Sequence, residues 1–291
     1  MIDRLTSPKT IKYIMEKYNF QFSKRFGQNF IIDENVLDRI VDGAGITKED
    51  HVLEIGPGIG VMTNALCEAS GKVVSVEIDR SLIPVLDETV GHHDNLTIIC
   101  DDILKVDLKA LFETHFKEKS PKLVANLPYY VTTPIIMKFL EERVPVTDLV
   151  IMIQKEVADR IMASPSTKDY GALSVAVQYF TEPSIVTRVS RGSFMPSPNV
   201  DSTVIRLNVR KAPPVELLDE KTFFSTVKDG FGKRRKTLLN ALTGGFLGLD
   251  RDEARKALAI AEIEERTRGE ALGMEEFARL SNAIFTIKKG R

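Results

Sequence analysis

At 291 residues the chain has room for one α/β domain of roughly 200 residues and a small second one, on the ordinary scale of about 100 to 200 residues per domain. Its 43% apolar and 28% charged residues exclude a disordered, repetitive or collagen-like chain, and no apolar run nears the roughly 18 residues of a membrane span. Cys67 and Cys100 form no CxxC pair and read as reduced small hydrophobes, and the four histidines show no metal-ligand spacing, so neither a disulfide nor a metal is expected.

The opening Met1-Ile2-Asp3-Arg4 leads into a charged amphipathic segment rather than a signal-type apolar stretch, and the chain is expected to stay in the cytoplasm. The net charge of −1 hides an uneven layout. Residues 1–30 carry six Lys/Arg against two Asp/Glu, residues 31–183 carry 14 against 25, and residues 184–211 carry five against one. A polyanion would therefore be met by the ends and the 184–211 segment, with the middle as catalytic body, although solvated basic helices explain the counts equally well.

Apolar spacing predicts amphipathic helices over 10–18 and 34–44, the second with Val36, Leu37, Ile40, Val41 and Ala44 on one face. Between them, Phe26-Gly27-Gln28-Asn29-Phe30 is too polar and glycine-interrupted for either element and reads as a loop with a task. From residue 51, short apolar runs alternate with helical stretches: 51–55, 73–77, 96–100, 123–125 and 149–153. Runs of this kind suit strands covered on both faces, which implies a Rossmann-like, doubly wound, mostly parallel sheet. Two later runs, 184–189 and 203–209, lack an intervening helix and are expected to pair antiparallel at one edge. Ala212-Pro213-Pro214 then sets the expected boundary between a domain of residues 1–211 and an all-helical one of 212–291, with helices over 221–242, 251–261 and 273–287.

Glu54-Ile55-Gly56-Pro57-Gly58-Ile59-Gly60 follows the first of the five runs and opens a helix, where glycines let the backbone approach a nucleotide-like ligand. The spacing is G-x-G-x-G, whereas a dinucleotide pyrophosphate calls for G-x-G-x-x-G. Glu77 closes the second run 21 residues beyond Gly56, where an acid accepts ribose hydroxyls of either NAD or S-adenosylmethionine. Asp102 closes the third run, where a carboxylate can accept an adenine amino group, while Asp101 beside it reads as solvated. Acids at the ends of three strands form an electronegative rim, suited to a sulfonium cofactor and poor for a pyrophosphate.

Asn126-Leu127-Pro128-Tyr129 follows the fourth run, over the carboxyl end of the sheet. An exocyclic adenine amine is a weak nucleophile because its lone pair is delocalised into the ring. The Asn126 side-chain oxygen and the Leu127 carbonyl can accept its two N–H groups and aim the lone pair at a methyl donor, a catalysis of position that needs no strong base. Tyr129 would stack on the base, worth about 1 to 3 kcal/mol.

Together with Gly27 to Phe30, Tyr170 to Val175 and Phe194-Met195-Pro196-Ser197-Pro198-Asn199-Val200-Asp201-Ser202, these motifs resemble the small-subunit ribosomal RNA dimethyladenosine transferases, from about Phe22 to the C-terminal helices. The resemblance implies a class I methyltransferase fold with a small helical C-terminal domain. It assigns S-adenosylmethionine contacts to Asn29, Ile31, Gly56, Glu77, Asp102 and Asn126, and packing against the target base to Phe194. Ile31 stands where Leu is commoner, and Tyr130-Val131-Thr132-Thr133 replaces the more frequent Asn-Ile-Ser-Thr, which makes the rim of the base pocket more apolar. Phe231 to Asn240 also resembles the family's second domain, and its Lys233-Arg234-Arg235-Lys236, with Lys24 and Arg25 of the basic N-terminal arm, are the candidate phosphate contacts.

By this resemblance the chain would be a monomeric enzyme that dimethylates N6 of two adjacent adenosines near the 3′ end of 16S rRNA, in the small ribosomal subunit during its biogenesis. Two alternatives share part of the pattern. One is a 23S rRNA adenine N6-methyltransferase of the macrolide-resistance type. The other is a non-catalytic assembly factor, which would need none of Asn126, Tyr129 and the cofactor acids.

Overall fold

The computed structural model describes residues 4–20, 22, 27–117, 119–233 and 235–290. The chain divides into two compact units, residues 1–158 with 183–209 and residues 159–182 with 210–291.

In the first unit, helices α1 (Pro8–Lys17), α2 (Glu34–Ala44), α3 (Val61–Ala69), α4 (Ile83–Val90), α5 (Leu108–His115) and α6 (Thr132–Glu141) alternate with strands. After the short β1 (Phe30–Ile31) come β2 (His51–Ile55), β3 (Lys72–Glu77), β4 (Leu96–Cys100), β5 (Lys122–Asn126) and β6 (Asp148–Gln154), which take up the five apolar runs. Beyond them lie β7 (Thr181–Val189), β8 (Phe194–Met195) and β9 (Ser202–Val209).

Seven strands form one sheet in the order β4-β3-β2-β5-β6-β9-β7. The five from β4 to β6 run parallel, and their central members are buried almost throughout, as apolar strands between two helical layers must be. As expected, β9 and β7 are hydrogen-bonded neighbours at one end of the sheet, with β7 outermost. β9 runs antiparallel to β6 from Asp148↔Asn208 to Gln154↔Ser202 and separates β6 from β7, burying Val204, Ile205 and Leu207. The strand order reverses between β2 and β5, where Ile55 pairs with Ala125, so the chain leaves both strands side by side at Gly56 and Asn126. A crevice at such a reversal is where open α/β sheets bind ligands.

Helix α1 and the described aromatic residues that follow it are anchored on the first unit. Ile11 and Ile14 of α1 are fully buried, and Lys17 and Tyr18 both donate to the Glu88 carboxylate on α4. Phe20, Phe22 and Phe30 then pack ring on ring, with centroids 5.5 to 6.2 Å apart, and carry the chain into β1.

The second unit holds α8 (Ala172–Phe180), α9 (Glu220–Gly232), α10 (Leu238–Leu242), α11 (Arg251–Ile260) and α12 (Met274–Lys289), and α7 (Lys155–Met162) leads into it. Its makeup differs from the division at Pro213-Pro214. Residues 159–182 group with the C-terminal helices because Tyr179 packs on Phe223 and Phe224, Phe180 stacks on Phe224, and the Tyr170 hydroxyl donates to the Leu272 carbonyl at 2.9 Å. The expected single helix over 221–242 is two helices. α9 stops at Gly232, the Lys236 N–H closes a turn onto the Lys233 carbonyl, and α10 starts after Thr237. A glycine and a run of like charges both disfavour helix, and the turn lets Leu238 and Leu239 enter the core.

Candidate active site

A cavity of about 280 Å³ opens at the switch point between β2 and β5. Gly56, Gly58 and Gly60 all adopt positive φ (+71°, +62° and +90°), the left-handed region that other residues avoid. At Gly56 an added Cβ would meet nothing within 4 Å, leaving backbone bare to the cavity, whereas at Gly58 it would come within 2.9 Å of the Phe30 ring. The glycines thus serve two ends. One bares the floor and the other admits the N-terminal arm against it.

Glu77, at the end of β3, lines the cavity and is buried. Burial raises its pKa above the usual carboxylate range, partly offset by N–H bonds from Asp79 at 2.8 Å and Gly58 at 3.1 Å. These two bonds point its oxygens and leave lone pairs for hydroxyl donors. Asp102 lines the same cavity beyond β4, with its Oδ1 accepting the Leu104 N–H at 3.0 Å and Lys105 standing 3.5 Å from Oδ2. Asp101, read from the sequence as solvated, is exposed but also lines the cavity, and its side chain accepts the Asp102 N–H. Apolar Ile78 and Ile103 line the cavity next to Glu77 and Asp102. Bare backbone, three carboxylates and apolar walls fit a ligand that is part nucleoside and part cation, which is the character of S-adenosylmethionine.

The remaining acid of the expected rim is elsewhere. Glu54 is 0% exposed inside β2, below the glycine turn, with Oε2 taking the hydroxyls of Ser75 at 2.6 Å and Thr63 at 2.8 Å. Its Oε1 has no partner among the described residues, and burial pushes its pKa up to about 7. Strand alternation accounts for this, since a residue inside a two-sided sheet faces a helical layer and not the strand ends.

Asn126 ends β5 with its amide fixed. Nδ2 donates to the Asn29 carbonyl at 3.0 Å, which leaves Oδ1 as an acceptor with no donor among the described residues. Asn29 in turn donates to the Gly27 carbonyl, and Gln28 donates to Asp79 at 3.0 Å, so the Gly-Gln-Asn-Phe loop is tied on both sides of the cavity floor. The Leu127 side chain is 1% exposed and does not line the cavity; its N–H donates to the Met152 carbonyl. The Pro128 carbonyl is used by Val131 and Thr132 at the start of α6, while the Leu127 carbonyl accepts nothing among the described residues. Tyr129 lines the cavity, its hydroxyl 3.1 Å from Ser202 Oγ.

Phe194 and Ile31, 163 residues apart in sequence, are brought together here. β1 and β8 pair antiparallel, Phe30 with Met195 and Ile31 with Phe194, and Asn29, Ile31 and Phe194 all line the cavity. Phe194 is only 4% exposed and is packed into the hydrophobic core while it lines the cavity. The contributions of Gln28, Asp79 and Ser202 were missed in the sequence, where short polar residues in loops carry no pattern; only the clustering of loops around one strand reversal could have flagged them.

Of the candidate phosphate contacts, Lys24, Arg25 and Arg234 lie outside the described residues. Lys233, Arg235 and Lys236 are exposed in the turn between α9 and α10, not along a helix, and none of the three lines the cavity. Among the described residues no three His, Cys, Asp or Glu side chains gather as a metal site, and no helix is long and apolar enough to cross a membrane.

Comparison with known proteins gives a consistent picture. A family model described as ribosomal RNA adenine dimethylase matches residues 19–285. The ribosomal RNA small subunit methyltransferase A of Alkaliphilus oremlandii is 55% identical over 97% of this chain and 99% of its own. That of Clostridioides difficile is 54% identical over 98% of each. Among solved structures, a dimethyladenosine transferase from Plasmodium falciparum shares the fold, with a TM-score of 0.72 at 24% identity over 90% of this chain and 98% of that one. The 23S rRNA methyltransferase ErmE aligns with a TM-score of 0.66 at 26% identity over 88% of this chain and 100% of that one.

Proposed function

Since the chain belongs to the ribosomal RNA adenine dimethylase family, we propose that it transfers methyl groups from S-adenosylmethionine to N6 of two adjacent adenosines near the 3′ end of 16S rRNA, within the small ribosomal subunit. The observation that carries the chemistry is the fixed amide of Asn126, whose Nδ2 is held by Asn29 while Oδ1 stays open at the strand reversal.

S-adenosylmethionine, when bound, supplies an electrophilic methyl on a sulfonium. What the chain supplies is position. Asn126 Oδ1 and the Leu127 carbonyl accept the two N–H groups of the target amine, which draws the nitrogen out of conjugation and directs its lone pair. Tyr129, steadied by Ser202, gives the base a stacking face, and Phe194 closes the opposite wall. Glu77 and Asp102 hold the ribose and adenine of the cofactor, and the backbone at Gly56 lies against it. A monomethylated amine keeps one N–H for Asn126, so the same arrangement serves the second transfer. Lys24, Arg25 and Lys233 to Lys236 then serve as phosphate contacts, sequence-independent and salt-sensitive. The reading carries with it a monomeric, cytoplasmic enzyme.

Labelled methyl from S-adenosylmethionine, offered with under-methylated small subunits, should appear in 16S rRNA as dimethyladenosine. Asn126→Ala should still bind cofactor, more weakly than the parent, yet fall on the order of 100-fold or more in kcat, the scale of removing one preorganised polar group from a reacting centre. Labelling confined to large-subunit RNA would favour the reading suggested by ErmE, and an Asn126→Ala protein of undiminished kcat would end the positional mechanism.

A further inference from the structure

Among the described residues of the second unit, the most exposed large apolar side chain is Phe246, at 72%. It tops the turn Thr243-Gly244-Gly245-Phe246-Leu247-Gly248-Leu249 between α10 and α11, and this turn is built to hold it still. The N–H groups of Phe246 and Leu247 donate to the two oxygens of Asp229, at 2.7 and 3.0 Å, and Asp229 is a carboxylate only 3% exposed. Gly245 is bare because any Cβ would stand 2.4 Å from that carboxyl group. Gly244 and Gly248 take positive φ, and the Gly244 N–H meets the Leu249 carbonyl, which closes the base of the turn.

A buried carboxylate is expensive to keep, and this one spends its hydrogen bonds on the amides of an exposed tip. Core packing does not explain a ring left in water. Two cations from different helices complete the tip: the Lys228 ammonium of α9 lies 3.8 Å from the Phe246 ring centroid, and Lys288 of α12 donates to the Leu247 carbonyl at 2.9 Å. A ring 72% exposed with an ammonium over it suits a partner that brings both a flat π surface and an anion. An apolar knob from another protein would gain nothing from the ammonium groups.

We propose that the Phe246 turn is a stacking platform for an unpaired nucleobase of the RNA substrate, with Lys228 and Lys288 against its phosphates. The identity of that RNA rests on the functional reading above. The platform adds to affinity rather than to the chemical step.

The test measures the affinity of the full-length protein for under-methylated small subunits, alongside its affinity for S-adenosylmethionine and its kcat at saturating subunits. Phe246→Ala and Phe246→Leu should both weaken subunit binding by about 5- to 160-fold, the range for removing one aromatic stack, while Phe246→Trp binds at least as well as the parent. Cofactor affinity and kcat should be unchanged in all three. Parent-like binding by the Ala variant would overturn the proposal, and so would full rescue by Leu, which would mean an apolar contact with a protein instead of a base. A parent protein that methylates no small subunits would refute the functional reading itself, whereas an active parent with indifferent variants refutes the platform alone.

Discussion

Replacing Glu54 by Gln removes a carboxyl group whose ionisation works against the fold. The group lies wholly inside the sheet layer, with two hydroxyl donors on one oxygen and no donor among the described residues on the other. Burial pushes its pKa to about 7, against an ordinary 4.5. A pKa raised on folding means that the group's favourable contribution is complete below the unfolded value and is lost as pH rises through the folded one. The gap of about 2.5 units corresponds to roughly 3 kcal/mol, at about 1.4 kcal/mol per unit. In Glu54→Gln that loss is absent. Urea unfolding of parent and variant at pH 5, 6, 7 and 8 should show the variant gaining on the parent by about 2.5 kcal/mol across the series, most of it between pH 5 and 7. The new amide N–H₂ meets the unpartnered position of Oε1 and adds a fixed, pH-independent penalty, so the slope is the readout and not the stability at one pH. A difference that stays flat from pH 5 to 8 would refute the reasoning, since it would mean that Glu54 is either ionised throughout or hydrated.

Gly58→Ala should lower stability by about 1 to 3 kcal/mol and weaken S-adenosylmethionine binding, because the substitution adds both a strained positive φ and a close approach of 2.9 Å to Phe30. Thermal unfolding and cofactor titration report the two effects, and Gly56→Ala, with no such approach, should move the second more than the first. Exchanging Lys233, Arg235 and Lys236 together for Gln should reduce the slope of log affinity for small subunits against log salt by about one for each phosphate no longer neutralised, with little effect on cofactor affinity.

How far the molecule can be read from its sequence depends on the range of the interactions involved. The sheet was legible because each apolar run reports its own burial, and the glycine turn and Asn126 because each directly follows a run. Pairing of β1 with β8 was not, since two-residue strands have no period and their partners lie far apart in the chain. Nor was the company that residues 159–182 keep, which is settled by rings such as Tyr179 and Phe224 meeting in space. Glu54 misled for a related reason. Its position in the motif matches an acid at a strand end, and only three-dimensional burial separates it from Glu77.

The small β1–β8 ladder joins the loop that bears Asn29 to the segment that bears Phe194. On the proposed assignments one faces the cofactor and the other the nucleobase, so whatever ordering the first ligand imposes on its own side is already done when the second arrives. Linkage makes such an effect reciprocal: a cofactor that tightens RNA binding by some factor is itself held more tightly by RNA, by that same factor. Two hydrogen-bonded residue pairs would then set the order of events, by favouring the enzyme with both ligands over either partial complex and by keeping the methyl donor in place between the successive transfers.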